Sequence, residues 1–278
     1  TAVDVFIYDT TKDSDGGAWR KRCQHTSWYN EPLNTAARGA RREFPAVAVI
    51  VVEADKVTIY DGDDPALPMW MVFRVFVSYT AGLLTVGNDG GVTAVSALNG
   101  SLVVTTKNTS TNQGLNGVFT ISFPADQGAK YCQSQLSTYF DLSLEHRNAA
   151  SGGGNNYLIG VDLVRTPSNF HNGVAMTVLP DAPIDPVTDL PVPTVAVATG
   201  AGVFVMNHDG TAHKSGTGWA YSSVVFDDRD NLIAVRDRVN WLVLYARADE
   251  YTAGDNFGSA SYVNTAGRLV TVAGNEII

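Results

Sequence analysis

The sequence predicts an all-β protein, a propeller-like array of short antiparallel sheets, and three observations carry that prediction. First, the stretch from Leu190 to Thr211 places two apolar runs, Val195 to Ala198 and Val203 to Met206, around a Gly200-Ala201-Gly202 turn, with an Asp209-Gly210 turn after them. Short β-branched and aromatic runs joined by glycine turns read as antiparallel hairpins. Runs with little polar alternation further suggest strands covered on both faces. Second, the same device recurs near Val47, Val92, Val224 and Tyr262. The step from Val47 to Val92 matches the roughly 40–50 residues of a four-stranded blade, the step from Val92 to Val195 leaves room for one further unit, and the last two steps are shorter, which predicts about five to seven blades, some of them reduced. Third, no amphipathic helical pattern of useful length occurs. β-sandwich domains, which use the same strand lengths and turns, are the alternative.

Taken in order, Val3 to Tyr8 has strand composition, and Asp9 to Gly17 is turn-rich. Asn30 to Arg42 reads as irregular, with a short helical turn around Ala36. Phe44 to Val52 is the most apolar strand, Lys56 to Tyr60 returns beside it, and Met69 to Val77 follows after an acidic loop. Leu83 to Val86, Val92 to Leu98 and Leu102 to Thr106 come next. Asn99-Gly100 joins the last two, and Asn-Gly between alternating runs is the strongest short hairpin signal. Val118 to Phe123 continues the sheet, Tyr139 to His146 alternates, and Tyr157 to Val164 reads as a strand after a glycine-rich loop. Residues 180–193 are proline-rich and read as an extended connection. Ser222 to Phe226, Leu232 to Val235, Trp241 to Arg247, Ser261 to Asn264 and Leu269 to Val272 complete the strands. The chain reads as one propeller-like domain over 1–278, a piece of something longer, with a Trp- and Arg-rich blade region over 1–80.

Composition limits the function classes. The 278 residues are 45% apolar, enough for a sizeable core, and only 17% charged. The net charge of −9 argues against nucleic-acid binding, because phosphate neutralisation needs clustered Lys and Arg. No apolar run is long enough for a membrane span. Cys23 and Cys132 lack any metal-ligand spacing and read as buried or free thiols rather than a disulfide.

The runs DVFIYDTTKDSDGGAWRKRCQHTSWYNE and REFPAVAVIVVEADKVTIYDGDDPALPMWMVF, with LPVPTVAVATGAGVFVMNHDG later, resemble large tail-associated virion proteins of marine podovirus-like bacteriophages. The resemblance is clearest over residues 4–73 and 187–235. It implies a fibre, nozzle or host-contact part of a phage tail, with other virion subunits as partners and a homo-oligomeric, symmetric assembly.

Chemistry candidates are few. Asp13 to Trp19 partly echoes the Asp-box turn of sialidase-like propellers, which is itself structural. Asp13 and Asp15, and Asp61, Asp63 and Asp64, are candidate oxygen ligands for Ca²⁺, but neither loop completes a calcium-binding pattern, and solvated turn residues are the preferred reading. His25, His146, His171, His208 and His213 are scattered, and no nucleophile or zinc motif accompanies them, so no catalytic residue and no cofactor is assigned. A glycosidase carboxylate pair stays open as the least favoured reading. The unusual feature is basic and aromatic: Trp19, Arg20, Lys21, Arg22, Trp28, Tyr29, Arg38, Arg41 and Arg42. It reads as a solvated cation-stacked loop, as an intersubunit contact, or as a platform for stacking a host surface glycan on Trp19 or Trp28.

Overall fold

The computed structural model describes residues 1–77, 82–87, 89–107, 116–133, 138–140, 142–149, 165–208, 211–214, 219–236, 241–247, 261–263 and 269–271. The expected strand at Tyr157 to Val164 and the Asp209-Gly210 turn lie outside these residues. Strands dominate, and the fold is all-β.

Four meanders follow one another along the chain. The first sheet runs β1 (Asp4–Asp9), β2 (Val47–Glu53), β3 (Lys56–Asp61) and β4 (Met69–Phe76), with the short β5 (Leu84–Thr85) parallel to β4 at its edge. The second holds β6 (Gly91–Leu98), β7 (Ser101–Lys107), β8 (Val118–Ser122), β9 (Gln127–Tyr131) and β10 (Thr138–Tyr139) in spatial sequence. The third contains β11 (His171–Thr177), β14 (Thr194–Thr199), β15 (Gly202–Met206) and β16 (Ala212–Lys214). Between β11 and β14 the proline-rich connection is not simply extended. It folds back on itself, pairing β12 (Ile184–Asp185) with β13 (Leu190–Pro191). The fourth sheet is β17 (Tyr221–Phe226), β18 (Asn231–Arg236), β19 (Trp241–Arg247), β20 (Ser261–Val263) and β21 (Leu269–Thr271).

Local chemistry explains the turns. At the β6–β7 hairpin, Asn99 and Gly100 both have positive φ, +51° and +69°, as a two-residue type I′ turn requires. Asp126 and Asp230 take left-handed positions at other hairpin tips, and short polar side chains tolerate that conformation best. The expected helical turn at Ala36 is instead a tight turn, closed by a bridge between Thr35 and Arg38. The chain there passes beside β4, where Val72 N donates to the Ala37 carbonyl, and this bond overrides helix propensity.

The sheets stack in chain order through their first strands. Val95 N of β6 donates to Asp4 Oδ2 of β1 at 3.1 Å. Thr93 of β6 donates to the His171 carbonyl of β11, and Asn172 of β11 donates to the Tyr221 carbonyl of β17 at 2.8 Å. A sheet inside such a stack must be apolar on both sides, and β14 and β15 are. Val195, Val197, Phe204 and Met206 face the second sheet, in a cluster with Val103 and Val118. Ala196, Ala198, Val203 and Val205 face the fourth, with Val224, Leu232 and Ala234. The period-2 alternation therefore sorts side chains between two dry interfaces rather than between core and water. The largest cluster lies between the first two sheets and the N-terminal segment.

Candidate functional site

The basic and aromatic segment between β1 and β2 carries two four-residue helices, α1 (Trp19–Arg22) and α2 (Ser27–Asn30). Such short helices cannot hold themselves together in water, so tertiary contacts hold them. Trp19 and Trp28 are fully buried. Phe44 forms the hub of an aromatic cluster, with ring centroids 5.1 Å from Trp19, 4.7 Å from Trp70 and 4.9 Å from Phe123. The pairs with Trp70 and Phe123 are edge-on and that with Trp19 is tilted, and edge-on aromatic pairs add about 0.5–1.5 kcal/mol each beyond their buried area. Each of the three indoles also finds an acceptor. Trp19 Nε1 donates to Asp13 Oδ2 at 2.7 Å, Trp28 to the Phe123 carbonyl at 2.8 Å and Trp70 to the Glu43 carbonyl at 3.0 Å.

Asp13 is the first of two polar nodes under this segment. Its Oδ2 also accepts the Tyr8 hydroxyl at 2.6 Å, and its Oδ1 accepts Asn99 N at 2.8 Å. The Tyr8 oxygen in turn accepts Gly100 N, and Asn99 Nδ2 donates to the Pro191 carbonyl at 2.9 Å. One carboxylate thereby ties β1, the β6–β7 hairpin and the proline-rich connection together. Burial, opposed by the Tyr8, Trp19 and Asn99 donors, leaves the Asp13 carboxyl above the usual range. Burial first, and then the Asp13 charge, push the Tyr8 hydroxyl far above its ordinary value.

The second node is ionic. Glu31 lies between Arg38 and Arg147, whose side chains are 0% and 1% exposed. Arg147 Nη1 donates to Glu31 Oε2 at 2.8 Å, Nε to the Val72 carbonyl at 3.0 Å and Nη2 to the Ala37 carbonyl at 2.9 Å. Arg38 donates to the carbonyls of Trp70 at 2.9 Å and Arg42 at 2.7 Å, and lies 4.3 Å from the Trp70 ring. Its Nε sits 2.9 Å from Glu31 Oε1, but that contact is an ion pair without an aligned hydrogen bond. Burial brings the Arg38 guanidinium down to about 10, which leaves it charged at neutral pH.

These contacts revise the sequence reading of the segment. Trp19, Trp28 and Arg38 are core residues, so they present neither an intersubunit contact nor a glycan platform. Hydrophobic burial and carbonyl acceptors, not solvent, explain their presence. Tyr29 is half-buried, with its ring 5.9 Å from Trp28. Arg20 donates to the Phe44 carbonyl at 3.0 Å, Arg22 to the Thr188 carbonyl at 3.2 Å and Arg42 to the Tyr29 carbonyl at 2.8 Å. Arg41 Nη1 is clamped by Asp61 at 2.9 Å and by Asp63, while Asp63 also accepts Ala46 N and Val47 N. Asp15 accepts Gly17 N and pairs with Arg22 at 3.0 Å. The Ca²⁺ candidates Asp13, Asp15, Asp61 and Asp63 thus turn their carboxylates onto protein donors rather than into a cage. No group of metal-ligating side chains occurs among the described residues.

Glu31 and Arg147, the centre of the ionic node, carried no local signal. They are 116 positions apart, and only folding joins them. Cys23 and Cys132 are both buried and are not joined in a disulfide, and burial pushes the Cys23 thiol up to about 12. A cleft of about 260 Å³ opens between the second and third sheets, floored by Val103, Ile121, Val195 and Met206, with Asn207 and His208 at its edge.

No protein-family model matches the chain, and no curated protein matches it. Among solved structures it is similar to a protein of unknown function from Bacteroides caccae, at 10% identity over 83% of this chain and 71% of that one, with a TM-score of 0.34. It is also similar to Hsv2 of Kluyvelomyces marxianus, at 12% identity over 80% of this chain and 60% of that one, again with a TM-score of 0.34. Likeness at this level carries no argument about function.

Proposed function

We propose that this chain is a structural subunit of a bacteriophage virion, a tail protein whose stacked meanders form a rigid, propeller-like platform. The observation that best supports this reading is the use made of the N-terminal segment. Its tryptophans and arginines, the residues that usually carry binding energy at surfaces, are spent on locking the segment to the first two sheets. Three interfaces between successive sheets are cross-linked through their first strands. Such a body resists local opening, because buried apolar contacts and satisfied polar groups raise the cost of partial unfolding. Its partners are other tail subunits, including copies of itself.

The test is to locate the protein in purified particles by mass spectrometry and labelled-antibody electron microscopy. Stoichiometric presence in the tail is expected, and absence from intact particles overturns the reading. The second reading, an adhesin for host surface glycans, is favoured by one observation, the cleft between the second and third sheets with Asn207 and His208 at its edge. Binding of purified chain to host polysaccharide, lost in His208→Ala, would favour it.

A further inference from the structure

The cleft between the second and third sheets has two walls of opposite chemistry, both supplied by sheets inside the stack. Register sets out the second sheet's wall in rows, Ser101, Ser122 and Gln127 in one and Val103, Thr120 and Ala129 in the next. The third sheet faces them with a single row, Met176, Val195 and Met206. Val103 belongs to the same apolar cluster as Val195 and Met206, so the walls meet there. Val192 and Pro193 of the proline-rich connection border the cleft, and the bond from Asn99 Nδ2 to the Pro191 carbonyl holds that connection in place.

The lining limits what fits. It contains no Asp, Glu, Lys or Arg, although the chain carries 28 acidic and 19 basic residues. His208 at the edge already faces the Asp181 carboxylate, 3.9 Å from its Nε2. A carboxylate, phosphate or ammonium bound here would leave water without a counter-ion, which is costly, so the ligand is neutral. The Ser101 and Thr120 hydroxyls and the Gln127 amide have no hydrogen-bond partner among the described residues. A wholly apolar ligand would strip their water and leave them unpaired. A ligand polar on every side would gain nothing from the methionine wall. The volume, about 260 Å³, lies just below the range of drug-sized sites and suits a single ring. A neutral pyranose has the matching anatomy, with hydroxyls along its edge and C–H groups on its face.

We infer that this cleft holds one neutral hexose unit, its C–H face on Met176, Val195 and Met206 and its hydroxyls on Ser101, Thr120 and Gln127. This rests on the glycan-binding reading of the cleft and narrows it: acidic and phosphorylated sugars are excluded, and Thr120 and the two methionines make the selection.

The test is methyl-labelled methionine NMR on the full chain, whose four methionines give four signals, assigned with Met176→Leu and Met206→Leu. The probes are the methyl glycosides of glucose, galactose and mannose, with glucuronate and mannose phosphate as charged counterparts. At least one neutral glycoside should shift Met176 and Met206 and leave Met69 and Met71 in place, and the charged sugars should shift none. Thr120→Val, which keeps the side chain's shape, should weaken that binding about tenfold, the weight of one hydrogen bond, with an unchanged circular dichroism spectrum. No shift with any of the three glycosides up to their solubility limits overturns the inference. So do equal shifts with glucuronate, or a Thr120→Val chain that binds as tightly as the wild type. Failure of the adhesin reading looks different: the two methionines shift with a glycoside, which sustains the site, while intact host polysaccharide is not bound.

Discussion

Replacing Glu31 by Gln is the sharpest probe of how this fold is held. The substitution keeps shape and hydrogen-bonding capacity while deleting the negative charge between two buried guanidiniums. Arg38 and Arg147 cannot relax into water, since their side chains are 0% and 1% exposed. Leaving buried charge without its counter-ion costs about 3–5 kcal/mol. At about 2–4 °C per kcal/mol for a chain of this size, the melting temperature should fall by about 6–20 °C. Tryptophan fluorescence reports the transition, because Arg38 lies on the Trp70 ring. The geometry also ranks the two arginines. Arg147 makes an aligned hydrogen bond to Glu31, and Arg38 only an unaligned ion pair. A double-mutant cycle should therefore give a larger coupling for Glu31→Gln with Arg147→Met than with Arg38→Met, in the range of about 0.5–3 kcal/mol. Molar salt should leave the loss nearly unchanged, as buried pairs are screened little. A destabilisation below about 1 kcal/mol, the value of an exposed pair, refutes the assignment of this node as a buried, coupled network.

Two further predictions concern the junctions between sheets. His171 is completely buried, and burial lowers it to about 4, against a Thr106 carbonyl that accepts from Nδ1 at 2.7 Å. Its folded value lies below its unfolded value, so the unfolded chain takes up the proton first as pH falls. Stability should be fully present above about 6.5 and decline towards about 4, by roughly 3 kcal/mol in all. Urea melts across that window should show a slope that His171→Gln flattens, and an identical slope in the variant would sink the idea. At Gly100, φ is +69° and an added Cβ would meet Pro124 Cγ at 2.7 Å and Trp19 Cδ2 at 3.1 Å. Gly100→Ala should cost about 1–3 kcal/mol by overpacking and backbone strain. A neutral result in the same melts would show that the hairpin tip is not pressed against the N-terminal segment.

What the sequence determined by itself was local and periodic. The all-β class, the strands around Val47, Val92, Val195 and Val224, and the Asn99-Gly100 turn follow from side-chain size, alternation and the φ preferences of Asn and Gly. Even the double-sided covering of β14 and β15 is legible, because unbroken apolar runs have no wet face. The tertiary structure decided everything that depends on distant partners. Tryptophans and arginines near the N-terminus look like surface residues until Phe44, Trp70 and Phe123 close around them and the carbonyls of Trp70 and Arg42 accept from Arg38. Glu31 and Arg147 are unremarkable until the stacking of sheets places them 2.8 Å apart. Composition records which groups a chain owns, but the desolvation that turns an arginine into core, or an aspartate into a knot, exists only once the sheets have met.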